Sequence, residues 1–366
     1  MARITLESLA HSYSPMPRSD SDYAVKELNH VWRDGGAYAL LGPSGCGKTT
    51  LLNIISGLVI PTRGRVLFGE RDVTELPTEA RNIAQVFQFP VVYDTMTVGE
   101  NLAFPLKNRG AAPEVIRKRV GEIAELLDLA KLLNRPARNL TADTKQKISL
   151  GRGLVRPDVA AILFDEPLTV IDPHLKWQLR ATLKEIHRHL NVTLIYVTHD
   201  QTEALTFADT VIVMLDGAVV QAGSPSELFE QPAHTFVGHF IGSPGMNVLP
   251  CRVAGRTASL GEGYSVELGS TYPALPADAK IELGIRPEFV RVGPKGSGMP
   301  ARIKRIDDIG RARIARLELA GKPVSAIVAE RASLHGDEGG ITFDPRHVHI
   351  YSGGKLVAGS DAGARP

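Results

Sequence analysis

The sequence predicts an α/β protein: a mainly parallel sheet covered by helices over residues 1–240, a small all-β domain over 241–355, and a flexible tail over 356–366. Three observations lead there. Apolar runs of strand length (Tyr38–Leu41, Ala160–Phe164, Thr193–Val197 and Val211–Leu215) alternate with stretches of helical periodicity, as strand–helix units of a parallel sheet do. After the linker-like cluster Gly242-Ser243-Pro244-Gly245 the pattern changes to short β-rich pieces punctuated by Gly and Pro, as in a small barrel. Between the first apolar strand and a helical stretch lies Gly42-Pro43-Ser44-Gly45-Cys46-Gly47-Lys48-Thr49, which fits the phosphate-loop pattern G-x-x-x-x-G-K-[ST] at every fixed position.

Each element has a local reason. Tyr38–Leu41 is a short buried strand, and Thr50-Leu51-Leu52 through Leu58 carries apolar residues at helical spacing. That strand–loop–helix context makes the glycine pattern a phosphate cradle rather than an ordinary turn. The loop glycines let N–H groups turn to an anion, and the following helix end adds about half a positive charge. Lys48 is placed to reach the β- and γ-phosphates, and the Thr49 hydroxyl to meet Mg²⁺. The stretch Ser14–Asp22 reads as a loop, and Asp216-Gly217 after Val211–Leu215 as a hairpin turn. The later β-pieces are Tyr264–Leu268, Lys280–Leu283, Ala301–Ile306, Ile314–Leu319 and Val348–Tyr351. Gly353–Pro366 is rich in Gly and Ala and reads as disordered.

Composition narrows the function. The 366 residues allow two or three domains, at about 100–200 residues each. A net charge of +2, from 42 basic and 40 acidic side chains, does not argue for nucleic acid as a partner. No apolar run approaches the roughly 18 residues of a spanning helix, and the first residues have no secretory apolar region. Two distant cysteines, Cys46 and Cys251, favour a reducing compartment over a disulfide framework.

Further chemistry follows the phosphate loop. Ala160–Phe164 ends in Asp165-Glu166, and ligands of parallel sheets bind beyond the carboxyl ends of the strands. Asp165 can hold Mg²⁺, while Glu166, pointing to the other side of the strand, can polarise an attacking water. Two acids after a strand can also be solvated caps; the upstream phosphate loop favours the catalytic reading. Tyr196-Val197-Thr198-His199-Asp200 closes another apolar strand, and His199 can donate to a γ-phosphate or belong to a helix-capping turn. Gln88, after Ile83–Phe87, can touch Mg²⁺ and water, a weak signal by itself. Arg135, Arg138, Lys145, Lys147, Arg152 and Arg156 read as a solvated or dimer-facing basic surface, and Trp32 and Trp177 as packing anchors. His347 and His349 alternate on one face of a strand and lack the further ligands of a metal site.

In order and spacing these elements resemble the nucleotide-binding subunit of an ABC transporter, that is, a P-loop NTPase, and the resemblance covers most of the chain. It implies that Gly42–Thr49 with Thr50 is Walker A, Gln88 the Q-loop residue, Leu163–Pro167 Walker B with Glu166 as catalytic glutamate, Leu168–Asp172 the D-loop and His199 the switch histidine. Tyr13 stands where the family stacks an aromatic ring on adenine, with Tyr23 as its rival. Phe240–Asn247, Gly284-Ile285-Arg286-Pro287-Glu288 and Phe343-Asp344-Pro345 are similar to the OB-like, transport-associated C-terminal domain of importers for sugars, glycerol phosphate and polyols. The implied ligands are ATP and Mg²⁺, the partners membrane permease subunits and, indirectly, an external binding protein. The place is the cytoplasmic face of the inner membrane, with Phe89–Asp94 and Gly99–Leu133 toward the permease.

One segment departs from the family pattern. Leu140-Thr141-Ala142-Asp143-Thr144 stands where the family has Leu-Ser-Gly-Gly-Gln, whose donors meet the γ-phosphate held by the partner subunit. Ala142 and Asp143 add side chains where backbone should approach closely. A carboxylate about 4–6 Å from a phosphate costs about 3–4 kcal/mol per unit charge pair at an effective dielectric near 20. The expectation is a heterodimer with a different ATPase chain, as the resemblance to glycerol importers implies. The alternatives are a homodimer, in which Asp143 turns away and favours its helix, and, in place of a transporter, a soluble ABC ATPase switch or a subunit that binds ATP without cleaving it.

Overall fold

In the computed structural model, residues 3–360 are described apart from 191, 262, 277, 311 and 330–336. The chain divides into two compact units, residues 1–225 and 226–366.

The first unit opens with β1 (Ile4–His11), β2 (Val25–Trp32) and β3 (Ala37–Leu41), then α1 (Lys48–Ser56), β4 (Arg63–Phe68), β5 (Arg71–Asp72) and β6 (Ala84–Val86). A helical stretch follows: α2 (Val98–Lys107), α3 (Pro113–Leu126) and α4 (Ala142–Leu154). The unit closes with β7 (Ala161–Asp165), α5 (Pro173–Leu190), β8 (Thr193–Thr198), α6 (Gln201–Phe207), β9 (Thr210–Leu215) and β10 (Ala218–Gly223). The central sheet has the order β10-β9-β3-β8-β7-β6. It is parallel from β9 to β6, and β10 joins by the Asp216-Gly217 hairpin. β3 and β8 are buried along their whole length, which is why they read as unbroken apolar runs.

A second, antiparallel sheet of order β2-β1-β4-β5 was not anticipated. Its core face supplies Ile4, Leu6, Trp32 and Val66 to the same hydrophobic core as Leu40, Leu52, Leu163 and Ile195. Trp32 is an anchor there, whereas Trp177, on α5, is 68% exposed and anchors nothing in this unit. The helices start and stop where side chains satisfy their ends. Thr97 and Glu100 close a capping box on α2, and Asp200 accepts from Thr202 and Glu203 at the start of α6. At the end of α1 the buried Arg81 guanidinium donates to the carbonyls of Ile54 and Ile55.

The second unit comprises helix α8 (Thr235–Phe240), most of α7 (Pro225–Glu230), and antiparallel strands around one core that includes Leu249, Leu268, Leu283, Leu317 and Ile350. The division falls ahead of the expected boundary at 240/241 because Arg286 fastens both helices to the β-structure. Its side chain is buried and donates to the carbonyls of Leu228, Phe229, Gly238 and Ile241. Two helix C-termini, each carrying partial negative charge, thus share one guanidinium. Burial lowers its pKa to about 10, which leaves it charged at neutral pH. Arg286→Ala strands several buried carbonyls at about 1–3 kcal/mol each, so thermal unfolding of the second unit should move down by well over 3 kcal/mol. An unchanged melting temperature would show that the clamp is dispensable.

The segment expected to be a flexible tail begins as paired backbone. Lys355–Leu356 is a strand beside His349–Ser352, and Ser360 exchanges two backbone hydrogen bonds with Thr271. Residues 361–366, the remainder of that expected tail, lie outside the described residues.

Candidate active site

The phosphate loop joins β3 to α1, and its glycines are there for space and for backbone angle. A Cβ on Gly42 would stand 2.3 Å from the Met214 carbonyl oxygen, and one on Gly47 2.2 Å from that of Ala24. Gly45 and Gly47 have φ of 80° and 97°, the left-handed region that other residues avoid. Ser44 and Gly45 form the exposed tip, while Pro43 and Thr50 are half-buried. Cys46 is buried, its amide donates to the Pro43 carbonyl, and burial pushes its thiol pKa up. Lys48 is buried, with Nζ 2.8 Å from the carbonyl oxygens of both Gly42 and Pro43, so the ammonium lies inside the cradle.

Strand order brings the second motif alongside. Thr49 Oγ1 donates to Asp165 Oδ1 at 3.1 Å, linking the start of α1 to the end of β7. A hydroxyl and a carboxylate so placed are the hard oxygen donors Mg²⁺ takes. Burial raises the Asp165 pKa, the Thr49 hydrogen bond and Lys48 oppose that rise, and the Glu166 charge adds to it. Among the described residues no cluster of three or more His, Cys, Asp or Glu side chains forms an all-protein cage, so a divalent ion here would complete its shell with phosphate oxygens and water. Gln88 is half-buried beyond β6, and no hydrogen bond joins it to Thr49 or Asp165.

Glu166 is the strained residue of the site. Its φ is +46°, unusual for a side chain of this size and of the kind stored at functional positions. The conformation is held by its amide, which donates to the Val197 carbonyl on β8 at 3.0 Å. His199 Nδ1 is 3.0 Å from Glu166 Oε1, and Thr169 Oγ1 donates to Oε2 at 3.2 Å. The geometry therefore brings Glu166 and His199 together from adjacent strand ends. The residues on either side of His199, Thr198 and Asp200, are held by a network that sequence reasoning missed. The buried Glu203 carboxylate accepts from Thr198 Oγ1 at 2.9 Å and Tyr196 Oη at 3.0 Å, with Lys176 Nζ at 3.5 Å. The Thr198 hydroxyl in turn accepts from the Asp200 amide. An acid in the first turn of α6 was the available signal, but it reads equally as a dipole partner.

Of the two aromatic candidates for the base, Tyr13 stands nearer the cradle. Its hydroxyl is 3.2 Å from Thr50 Oγ1, its ring is exposed, and His11 packs edge-on at 4.6 Å. Tyr23 faces Arg63 instead, 6.0 Å from the ring centre. Gln146 was also missed. It is fully buried on α4 and donates to the Phe87 and Pro167 carbonyls, tying the segments that carry Gln88 and Glu166. A polar residue at an inward helical position was its only trace.

At the start of α4, Thr141 caps the helix through the Thr144 amide, and Asp143 Oδ1 accepts from the Asp172 amide at 3.4 Å. Asp143 therefore does not simply turn out to solvent. The nearby basic residues are not one solvated surface either. Arg156 is buried and donates to the Ile83 carbonyl, and Arg152 lies over the rings of Tyr93 and Phe104.

Comparison with known proteins adds three matched regions. Residues 25–169 match the ABC transporter family, 242–290 the MalK OB fold domain and 283–350 the TOBE domain. The chain is 38% identical over 354 residues to the sn-glycerol-3-phosphate import ATP-binding protein UgpC of Yersinia pestis bv. Antiqua (strain Antiqua), covering 96% of this chain and 97% of that one. It is 40% identical over 348 residues to the trehalose/maltose import ATP-binding protein MalK of Thermococcus litoralis, covering 90% and 93%. Among solved structures, the ATP-binding cassette MJ0796 in a post-hydrolysis, dimeric state with ADP and Pi aligns with a TM-score of 0.54 at 28% identity, over 61% of this chain and 98% of that one. CbiO1 of Clostridium perfringens, part of the complex cbiONQ, aligns with a TM-score of 0.56 at 27% identity, over 62% and 90%.

Proposed function

The chain belongs to the ABC transporter family of ATP-binding subunits, and from that premise we propose that it energises the import of a small polyol, a polyol phosphate or a sugar. It is an ATPase of the ABC type, acting on ATP with Mg²⁺, and we place it peripherally on the cytoplasmic face of the inner membrane. No helix among the described residues is long and apolar enough to cross a membrane. Glycerol is the first substrate to try, and a sugar the second.

The observation that carries the mechanism is the Glu166–His199 contact beside the Thr49–Asp165 pair. The loop amides and Lys48 bind the triphosphate, and Tyr13 offers its exposed ring to adenine. Thr49 and Asp165 would hold Mg²⁺, which would supply positive charge against the phosphate oxygens, and we keep Gln88 as a residue that would join them there. Glu166 takes the proton of a water that attacks the γ-phosphorus. The bond to the bridging oxygen breaks, leaving ADP and inorganic phosphate, and His199 holds the γ-oxygens. Docking to permease subunits is supported by Phe89 and Val91, which are 67% and 47% exposed in a segment braced by Arg152. An external binding protein would deliver the substrate to that permease.

We further propose a different ATPase chain as partner. Support comes from Ala142 and Asp143 in the place of two glycines, with the carboxylate at the start of α4, where a partner's γ-phosphate would approach. ATPase assays of this chain alone and mixed with the second ATPase encoded beside the same permease test it. The mixed pair should turn over at least tenfold faster, and the double change Ala142→Gly/Asp143→Gly should raise the rate of the chain alone. Equal turnover of both sites in the self-paired chain would establish the homodimer instead.

A further inference from the structure

The second unit contains a cavity of about 490 Å³, within the range of about 300–1,000 Å³ usual for small-molecule sites. One wall is the 356–359 segment, which the hydrogen bonds of Leu356 to Ala233, Val357 to Ile350 and Ser360 to Thr271 fix in place. The His347 ring, which also lines it, stacks on Phe289 with centroids 3.6 Å apart and planes 8° from parallel. Around this flat aromatic pair stand His349, Ser270, Tyr272 and Glu230.

The charge pattern narrows the ligand. Arg346 is the one permanent cation among the described lining residues, and its guanidinium donates to both oxygens of Asp344 at 3.2 and 3.0 Å. Its charge is thus already matched. Burial, foremost, lowers the pKa of His349 and favours its neutral ring, which bonds the Glu230 backbone. A phosphate or carboxylate would meet little uncompensated positive charge and one carboxylate, Glu230. Hydroxyl groups, which donate and accept, would find imidazole nitrogens, hydroxyls and a carboxylate around an aromatic plane suited to a C–H face.

We propose that this cavity is a binding site for a neutral polyhydroxylated compound of monosaccharide or polyol size, separate from the nucleotide site. Because it lies in the β-unit, it would let the concentration of such a compound be read by the subunit itself. The proposal does not depend on which substrate is transported.

Calorimetric titration of the full-length chain with D-glucose, sorbitol and glycerol, and separately with sn-glycerol 3-phosphate and inorganic phosphate, tests it. At least one neutral probe should bind saturably. Its affinity should fall tenfold or more in His347→Ala or in the exposed-site variant Glu230→Ala, with binding of an ATP analogue unchanged. If His347→Ala melts at a lower temperature, Glu230→Ala alone decides. Absence of binding by all three neutral probes, binding of the phosphate-bearing probes only, or affinity unaltered by the deciding variants would overturn it.

Discussion

Replacing Glu166 with Gln should lower ATP turnover by about 10²–10⁴-fold while leaving nucleotide affinity nearly unchanged. The substitution keeps the shape that the +46° backbone and its hydrogen bond to Val197 impose. It also keeps an amide oxygen that can accept from Thr169. What it removes is a group able to take a proton from water. In the proposed mechanism binding rests on the loop amides and Lys48, which this change does not touch, so Kd for ATP and kcat should separate. A variant that lost both together would show that Glu166 holds the phosphate loop rather than serving the chemistry.

Lys48→Ala should produce the opposite pattern, with loss of binding first. The ammonium is buried, and it rests on two carbonyl oxygens at 2.8 Å each. At about 4 Å from a phosphate oxygen and an effective dielectric near 20, its attraction is about 4 kcal/mol per unit charge. At about 1.4 kcal/mol per tenfold, losing it should weaken ATP binding by a hundredfold or more. Equilibrium dialysis with labelled ATP measures this directly. Affinity within about threefold of the unaltered chain would place the phosphate elsewhere, because that change corresponds to only about 0.7 kcal/mol.

The parts of this protein legible from sequence are those whose physics is local. Parallel strands buried on both faces are continuous apolar runs, so β3, β7, β8 and β9 stood out. The phosphate loop is a string of local requirements within eight residues: a side chain at Gly42 or Gly47 would collide with backbone, and Gly45 and Gly47 hold left-handed backbone angles. The β1-β2-β4-β5 sheet was not legible, because β1 slips register between Leu6 and Leu9 and its alternation is broken. Leu356–Ser360 read as a tail because backbone pairing to distant partners leaves no mark on a run of small residues. The unit boundary moved for a similar reason: the residue that fixes it, Arg286, lies far along the chain from the helices it holds. Gln146 and Glu203 act through contacts that only the folded chain supplies. Tyr13 was read at the adenine position with Tyr23 as its rival, and what the letters could not show is that the Tyr13 hydroxyl lies 3.2 Å from Thr50 Oγ1.

The most direct test is a single-turnover experiment on the chain assembled with the proposed permease and second ATPase, using ATP labelled on the γ-phosphate and following retained nucleotide and released phosphate in the same sample. The unaltered assembly should release labelled phosphate, the Glu166→Gln assembly should hold intact ATP, and the Lys48→Ala assembly should hold little at this chain's loop. Phosphate released from this chain's site at the same rate in all three would contradict the account.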